Sequence, residues 1–217
     1  MKWQGILFDF DGVIADTEPL NAAYLGTALH RFGIELTPET YRKLVGTSDQ
    51  TTIRSLLSSA AHPVSMEELA AERRRCGNTY RNSPELVPQS GLRQWLATLR
   101  LRGVRTAVVS STRTELIVTA LNRMKLLNSF DAVVCGDMVE HPKPAPDIYR
   151  LAMSWLELGP KQCLAIEDSP TGICAAKAAG LAVIGYTGGS IPQDVTQADW
   201  TAGSFTEISD MEIFQPE

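Results

Sequence analysis

Strands and helices alternate along this chain from Val104 onward, and that alternation limits its fold more than any other feature. Val104 to Ser110 reads as a strand. Ile117, Ala120, Leu121 and Met124 then recur at i, i+3, i+4 and i+7, the spacing of one helix face. Phe130 to Cys135 is a second strand, followed by a helix through Ile148, Leu151, Ala152 and Trp155. Gln162 to Ile166 is a third strand. Ser169-Pro170 then supplies an N-cap with proline at the first helical position, Gly180 stops that helix, and Ala182 to Tyr186 is a fourth strand. Such a pattern implies a parallel sheet with right-handed crossovers. The tail after Ile191 is mixed and only weakly patterned.

The apolar run Gly5-Ile6-Leu7-Phe8 adds a strand to the same sheet, but its distance from Val104 is too great for one crossover. A strand–helix–strand unit takes roughly 30 residues, and the stretch from Asp11 to Val104 is about three times that. A helix with Leu92, Trp95, Leu96 and Leu99 on one face and Gly103 as its stop already supplies the crossover. The intervening residues are therefore an insertion, and they read as all-helical. Leu20, Tyr24, Ala28 and Phe32 form one stripe ended by Gly33; Thr37-Pro38 caps a second helix; Ile53, Leu56 and Leu57 mark a third. Ser65-Met66-Glu67-Glu68 is a capping box for a fourth. The expected architecture is α/β: a Rossmann-like doubly wound parallel sheet core, residues 1–17 and 88–217, with an all-helical cap, residues 18–87, inserted above the sheet edge like a lid.

Composition narrows the function classes. With 44% hydrophobic and 21% charged residues the chain is an ordinary globular protein, and its net charge of -5 argues against nucleic-acid and anionic-membrane partners. No run approaches the ~20 apolar residues of a membrane helix, and Asp9 and Asp11 interrupt any apolar signal core. Cys76, Cys135, Cys163 and Cys174 show no CxxC spacing, and His30, His62 and His141 form no ligand set. The expectation is a cytoplasmic protein without zinc; nothing in the sequence demands more than a monomer.

Four short segments carry chemistry. Asp9-Phe10-Asp11-Gly12-Val13 puts two carboxylates one residue apart where a buried strand runs out of the core. Like charges so close repel unless a cation screens them or one takes up a proton. Ser110 closes the strand Ala107-Val108-Val109, Lys143 lies in His141-Pro142-Lys143-Pro144-Ala145-Pro146-Asp147, and Glu167-Asp168 ends Ile166 and precedes Ser169-Pro170-Thr171-Gly172. In this order, each at the C-terminal end of a strand, they resemble the haloacid-dehalogenase-like phosphohydrolase superfamily, in its subgroup with a helical cap after the first strand. The resemblance covers nearly the whole chain and is nearest the β-phosphoglucomutase and sugar-phosphate phosphatase branch.

The resemblance implies a phosphatase acting on a small phosphorylated metabolite, a sugar or polyol phosphate, through an aspartyl-phosphate. Asp9 is then the nucleophile, and Asp11 the general acid that becomes the base in the second step. Lys143, Ser110 and Ser111 are phosphate-binding positions. Magnesium suits an all-oxygen site that also meets phosphate; its implied ligands are Asp9, the Asp11 backbone carbonyl and Asp168, with Glu167 direct or through water. Thr112 and Arg113 are weaker candidates for substrate contact, and Arg73-Arg74-Arg75 reads as a solvated helix face before it reads as a substrate contact. Cap positions Thr17, Asn21, Gly46, Thr47, Ser48, Asp49 and Gln50 are candidates for substrate choice. A phosphomutase is the alternative, but Asn21 stands where those mutases carry histidine, and Val45 and Asp49 match their basic pair. A silent ligand-binding member is a further alternative, disfavoured because binding alone does not need Asp11.

Overall fold

The computed structural model describes residues 2–45 and 50–214. In chain order it contains β1 (Gly5–Phe8), α1 (Glu18–His30), α2 (Pro38–Arg42), α3 (Thr51–Ser58), α4 (Met66–Cys76), α5 (Thr79–Asn82) and α6 (Leu92–Leu101). There follow β2 (Arg105–Ser110), α7 (Thr114–Arg123), β3 (Ala132–Cys135), α8 (Asp147–Leu156), β4 (Cys163–Glu167), α9 (Pro170–Ala178), β5 (Ala182–Tyr186), β6 (Trp200–Ala202) and α10 (Phe205–Asp210). The six strands form one sheet in the order β3-β2-β1-β4-β5-β6, with every pairing parallel. This is the doubly wound arrangement, in which ligands bind outside the carboxyl ends of the strands near the reversal of strand order, here beside β1.

The chain divides into two compact units, Met1–Asp16 with Val87–Glu217, and Thr17–Leu86. The first holds the sheet. Its central strand β1 is wholly buried, as a parallel strand covered on both faces must be. Alternation along β1 sends Leu7 to the face where Tyr149, Ala152 and Ile173 pack. Phe8 points the other way, into an aromatic cluster: its ring lies 5.5 Å from Trp95, 5.7 Å from Phe130 and 6.2 Å from Phe205. Phe205 also stacks on Tyr186 at 5.1 Å, and Phe214 meets Trp95 at 5.4 Å.

The described elements of the second unit are α1 to α5. Ser65 and Glu68 form the anticipated capping box on α4. Tyr41 donates to Glu18 at 2.6 Å and Thr79 to Asn21 at 2.7 Å, tying α2 and α5 to α1. Among the described residues no helix is long and apolar enough to cross a membrane.

Three local expectations need correction. The weakly patterned tail contains an ordered strand and helix, β6 and α10, and Phe205 of α10 joins the cluster around Phe8. Helix α1 buries Leu25, Ala28 and Leu29; of the expected stripe only Ala28 is fully buried, Leu20 and Tyr24 are half-buried, and Phe32 lies past the helix, which ends at His30 before Gly33 turns the chain with φ 72°. Helix α8 buries Ile148, Tyr149, Ala152, Met153 and Leu156, leaving Trp155 51% exposed. The helix is rotated by about one position from the expected face, which turns the Tyr149 hydroxyl inward.

Truncating Phe205 removes the ring shared by Phe8, Trp95 and Tyr186. We expect Phe205→Ala to cost about 3–5 kcal/mol, measured by denaturant unfolding; a change below about 1 kcal/mol would show that the tail does not support the sheet.

Candidate active site

The site is built where β1, β2 and β4 end. The Asp9 amide donates to the Ile166 carbonyl at 2.9 Å, so the β1–β4 ladder holds this residue one step beyond the strand. The chain then turns sharply: the Gly12 amide donates to Ala15 at 2.8 Å and the Ile14 amide to Phe10 at 2.9 Å. Gly12 has φ 79°, and a Cβ there would fall 1.8 Å from Asp168 Oδ2. Only glycine lets the first carboxylate loop approach the carboxylate after β4 this closely.

Lys143 enters from the loop between β3 and α8, its side chain 5% exposed. Its Nζ donates to Asp9 Oδ1 at 2.7 Å, to Glu167 Oε1 at 2.6 Å and to the Val109 carbonyl at 3.0 Å. These three acceptors match the three N–H groups of an ammonium. Tyr149, fully buried on α8, donates to the same Glu167 Oε1 at 2.6 Å, and Ser169 donates to Oε2 at 3.3 Å. A Cβ at Gly172 would lie 2.0 Å from Glu167 Oε2, so glycine at this point in α9 makes room for the acid.

Charge and burial oppose one another here. Burial pushes the Asp9 carboxyl well above the usual carboxylate range, with the Lys143 charge pulling it down and Glu167 and Asp11 pushing it further up. Burial disfavours the Lys143 ammonium, but Asp9 and Glu167 outweigh it and hold the group above the ordinary lysine range. Burial, then the Glu167 charge, raises the Tyr149 phenol, which stays a donor.

One carboxylate oxygen each from Asp9, Glu167 and Asp168 lie within 4.8 Å of one another. Three hard oxygen donors, two of them buried, fit a divalent cation such as magnesium. The Asp11 carboxylate is directed elsewhere: its Oδ2 accepts from the Thr112 hydroxyl at 3.0 Å. Ser110 is fully buried and its Oγ accepts from the Thr112 amide at 3.1 Å, while Ser111 is exposed.

Asp9, Lys143, Glu167 and Asp168 are thus brought together, with Asp11 and Ser110 joined to them through the loop after β2. Of the positions considered for substrate choice, Thr17 is buried and Asn21 Oδ1 accepts from Thr79, both in the helical unit. Gln50 is exposed and accepts from Arg54 at 2.9 Å; Gly46, Thr47, Ser48 and Asp49 lie outside the described residues. Arg113 is exposed, as are Arg73, Arg74 and Arg75, the last paired with Glu72 at 3.1 Å. Sequence reasoning missed the roles of Tyr149 and Gly172. For Tyr149 a signal existed in the register with Ala152, Met153 and Leu156; for Gly172 none did.

A family model described as haloacid dehalogenase-like hydrolase matches residues 6–186. The chain is 30% identical over 179 residues to a phosphorylated carbohydrates phosphatase of Thermotoga maritima, with 82% of each chain covered. Among solved structures it resembles CbbY from Rhodobacter sphaeroides in complex with phosphate, with TM-score 0.77, 28% identity, and 95% of this chain and 96% of that one covered. A putative β-phosphoglucomutase from Thermotoga maritima gives TM-score 0.78 at 26% identity, covering 95% and 97%.

Removing the Tyr149 hydroxyl takes a donor from a buried carboxylate. We expect Tyr149→Phe to lower stability by about 1.5–3 kcal/mol in urea unfolding; an unchanged midpoint would mean that Glu167 is satisfied without it. Gly172→Ala should lower the midpoint as well, because its methyl needs the space Glu167 occupies.

Proposed function

This chain belongs to the haloacid dehalogenase-like hydrolase family, and from that premise we propose that it is a magnesium-dependent phosphatase of small phosphorylated metabolites, with sugar or polyol phosphates as the substrate class. The observation that carries the reading is the buried Asp9, clustered with Lys143, Glu167 and Asp168 at the ends of β1 and β4. Nucleophilic attack on a phosphate dianion requires this kind of charge compensation.

Asp9 attacks phosphorus and forms the aspartyl-phosphate while Asp11 gives its proton to the departing alkoxide. Asp11 then takes a proton from the water that hydrolyses the intermediate. Lys143 contributes its charge, because its N–H groups are directed to Asp9, Glu167 and Val109. Ser110 and the backbone amides after β2 hydrogen-bond the phosphoryl oxygens. Asp9, Asp168 and the Asp11 carbonyl would hold magnesium, with Glu167 behind them, and the ion would neutralise phosphoryl charge. The helical unit supplies the residues that choose the substrate, among them Thr17, Asn21 and the segment Gly46, Thr47, Ser48, Asp49 and Gln50.

Similarity to a putative β-phosphoglucomutase supports a phosphomutase as the second reading. The Asn21 side chain, bound to Thr79, stands against it, since asparagine cannot do the acid–base work of histidine. The test is phosphate release from a panel of sugar, polyol and nucleotide monophosphates with magnesium. We expect turnover of sugar or polyol phosphates that is abolished in Asp9→Asn and by chelator. Transfer of phosphate within a hexose bisphosphate without net release would overturn hydrolysis in favour of the mutase. Ligand binding with no turnover of any substrate would make the chain a silent member.

A further inference from the structure

The loop after β2 is fixed by hydrogen bonds from within and from the neighbouring loop after β3. The Thr112 amide donates to Ser110 Oγ at 3.1 Å, and the Thr112 carbonyl accepts from the Gly136 amide at 3.4 Å. A Cβ at Gly136 would fall 2.4 Å from the Ser111 carbonyl oxygen, so only glycine lets the segment after β3 come this close. One residue on, Asp137 Oδ1 accepts from both the amide and the hydroxyl of Thr114, at 2.8 Å and 2.7 Å. Residues 110–114 are therefore held from within and from the neighbouring loop. What this frame presents to the site is the Thr112 hydroxyl, 3.0 Å from Asp11 Oδ2. A threonine side chain adds stiffness of its own, since branching at Cβ restricts χ1.

We infer that Thr112 is a positioning residue for the acid–base group: its hydroxyl orients the Asp11 carboxyl and stabilises the charge that develops there as the proton leaves. The inference rests on the reading of Asp11 as general acid. In the first step an Asp9 oxygen forms a bond to phosphorus and the bond from phosphorus to the ester oxygen breaks. The Asp11 proton goes to that oxygen, giving a neutral alcohol and leaving Asp11 a carboxylate. A hydroxyl donates more strongly to a carboxylate than to a carboxylic acid, so the Thr112 bond strengthens along the step and lowers its barrier. An aryl ester departs as a stable phenolate and needs little of this help.

Leaving-group dependence tests the role. The quantity is kcat/KM, which reports the phosphorylation step, for the best sugar phosphate and for p-nitrophenyl phosphate. It is measured in wild type, Thr112→Val, Thr112→Ser and Asp11→Asn, with thermal midpoints alongside. We expect Thr112→Val to lose about 10- to 100-fold on the sugar phosphate, at least tenfold more than it loses on the aryl ester, and Thr112→Ser to recover most of the loss. Asp11→Asn should show the same selectivity more strongly. Equal losses on both substrates in Thr112→Val, with a selective loss in Asp11→Asn, would overturn the role of Thr112 alone. Equal losses in both variants would overturn the general-acid reading on which it stands.

Discussion

A buried ammonium is the constraint from which the rest of this site follows. Asp9, Glu167 and Asp168 gather three carboxylates within 4.8 Å, and such a group would repel itself apart without positive charge among its members. Lys143 supplies that charge from a side chain only 5% exposed, and both neighbouring acids close on it at under 3 Å. A buried ion pair offsets its desolvation only when its hydrogen bonds are complete. Surrounding features serve that requirement: the Val109 carbonyl takes the third N–H, Tyr149 takes part of Glu167, and Gly172 leaves room for it. Glu167 is thereby the counter-ion that fixes the lysine as much as it is a member of the acidic cluster with Asp9 and Asp168.

Much of the sheet was legible because parallel strands buried on both faces leave short apolar runs, bounded by helices with ordinary start and stop signals. The four chemical segments were legible for a related reason. Each is contiguous, and each sits at or after the C-terminal end of a strand, with Lys143 in the loop that follows β3, so its position in the chain already states its side of the sheet. Less was legible where two solutions differ by a small rotation. Ile148, Leu151, Ala152 and Trp155 make as good a helical stripe on paper as the face that is buried, and only packing against β2 and β3 selects the one that turns Tyr149 inward. The link from Thr112 to Asp11 spans 101 positions, and no local pattern announces it. The strand Trp200–Ala202 is three residues long, too short to show a period.

The helical unit is organised on different terms. Besides its buried leucines, it is tied by side-chain hydrogen bonds between neighbouring helices, Tyr41 to Glu18 and Thr79 to Asn21, together with the capped start of α4. Asn21 illustrates the limit of reading single positions. It is a natural candidate for contacting substrate, yet its side-chain oxygen already has a partner within the unit, and what it retains for a ligand is its amide donors. Candidate residues for specificity are better ranked by the partners they already hold than by their polarity.

Phe8 immediately precedes Asp9, and one of the three rings that meet it, Phe205, lies beyond residue 186, where the match to the family model stops. Asp9 is thus propped from two sides, one ionic and one aromatic. The ionic side lies within residues 6–186, which the family model matches. The aromatic side draws on Phe205 and, through Trp95, on Phe214, beyond those residues. A change confined to that outer support would alter how rigidly Asp9 is seated while leaving the clustered carboxylates and Lys143 in place. Heat tolerance can then change with no change in the acidic cluster or in the lysine that holds it together.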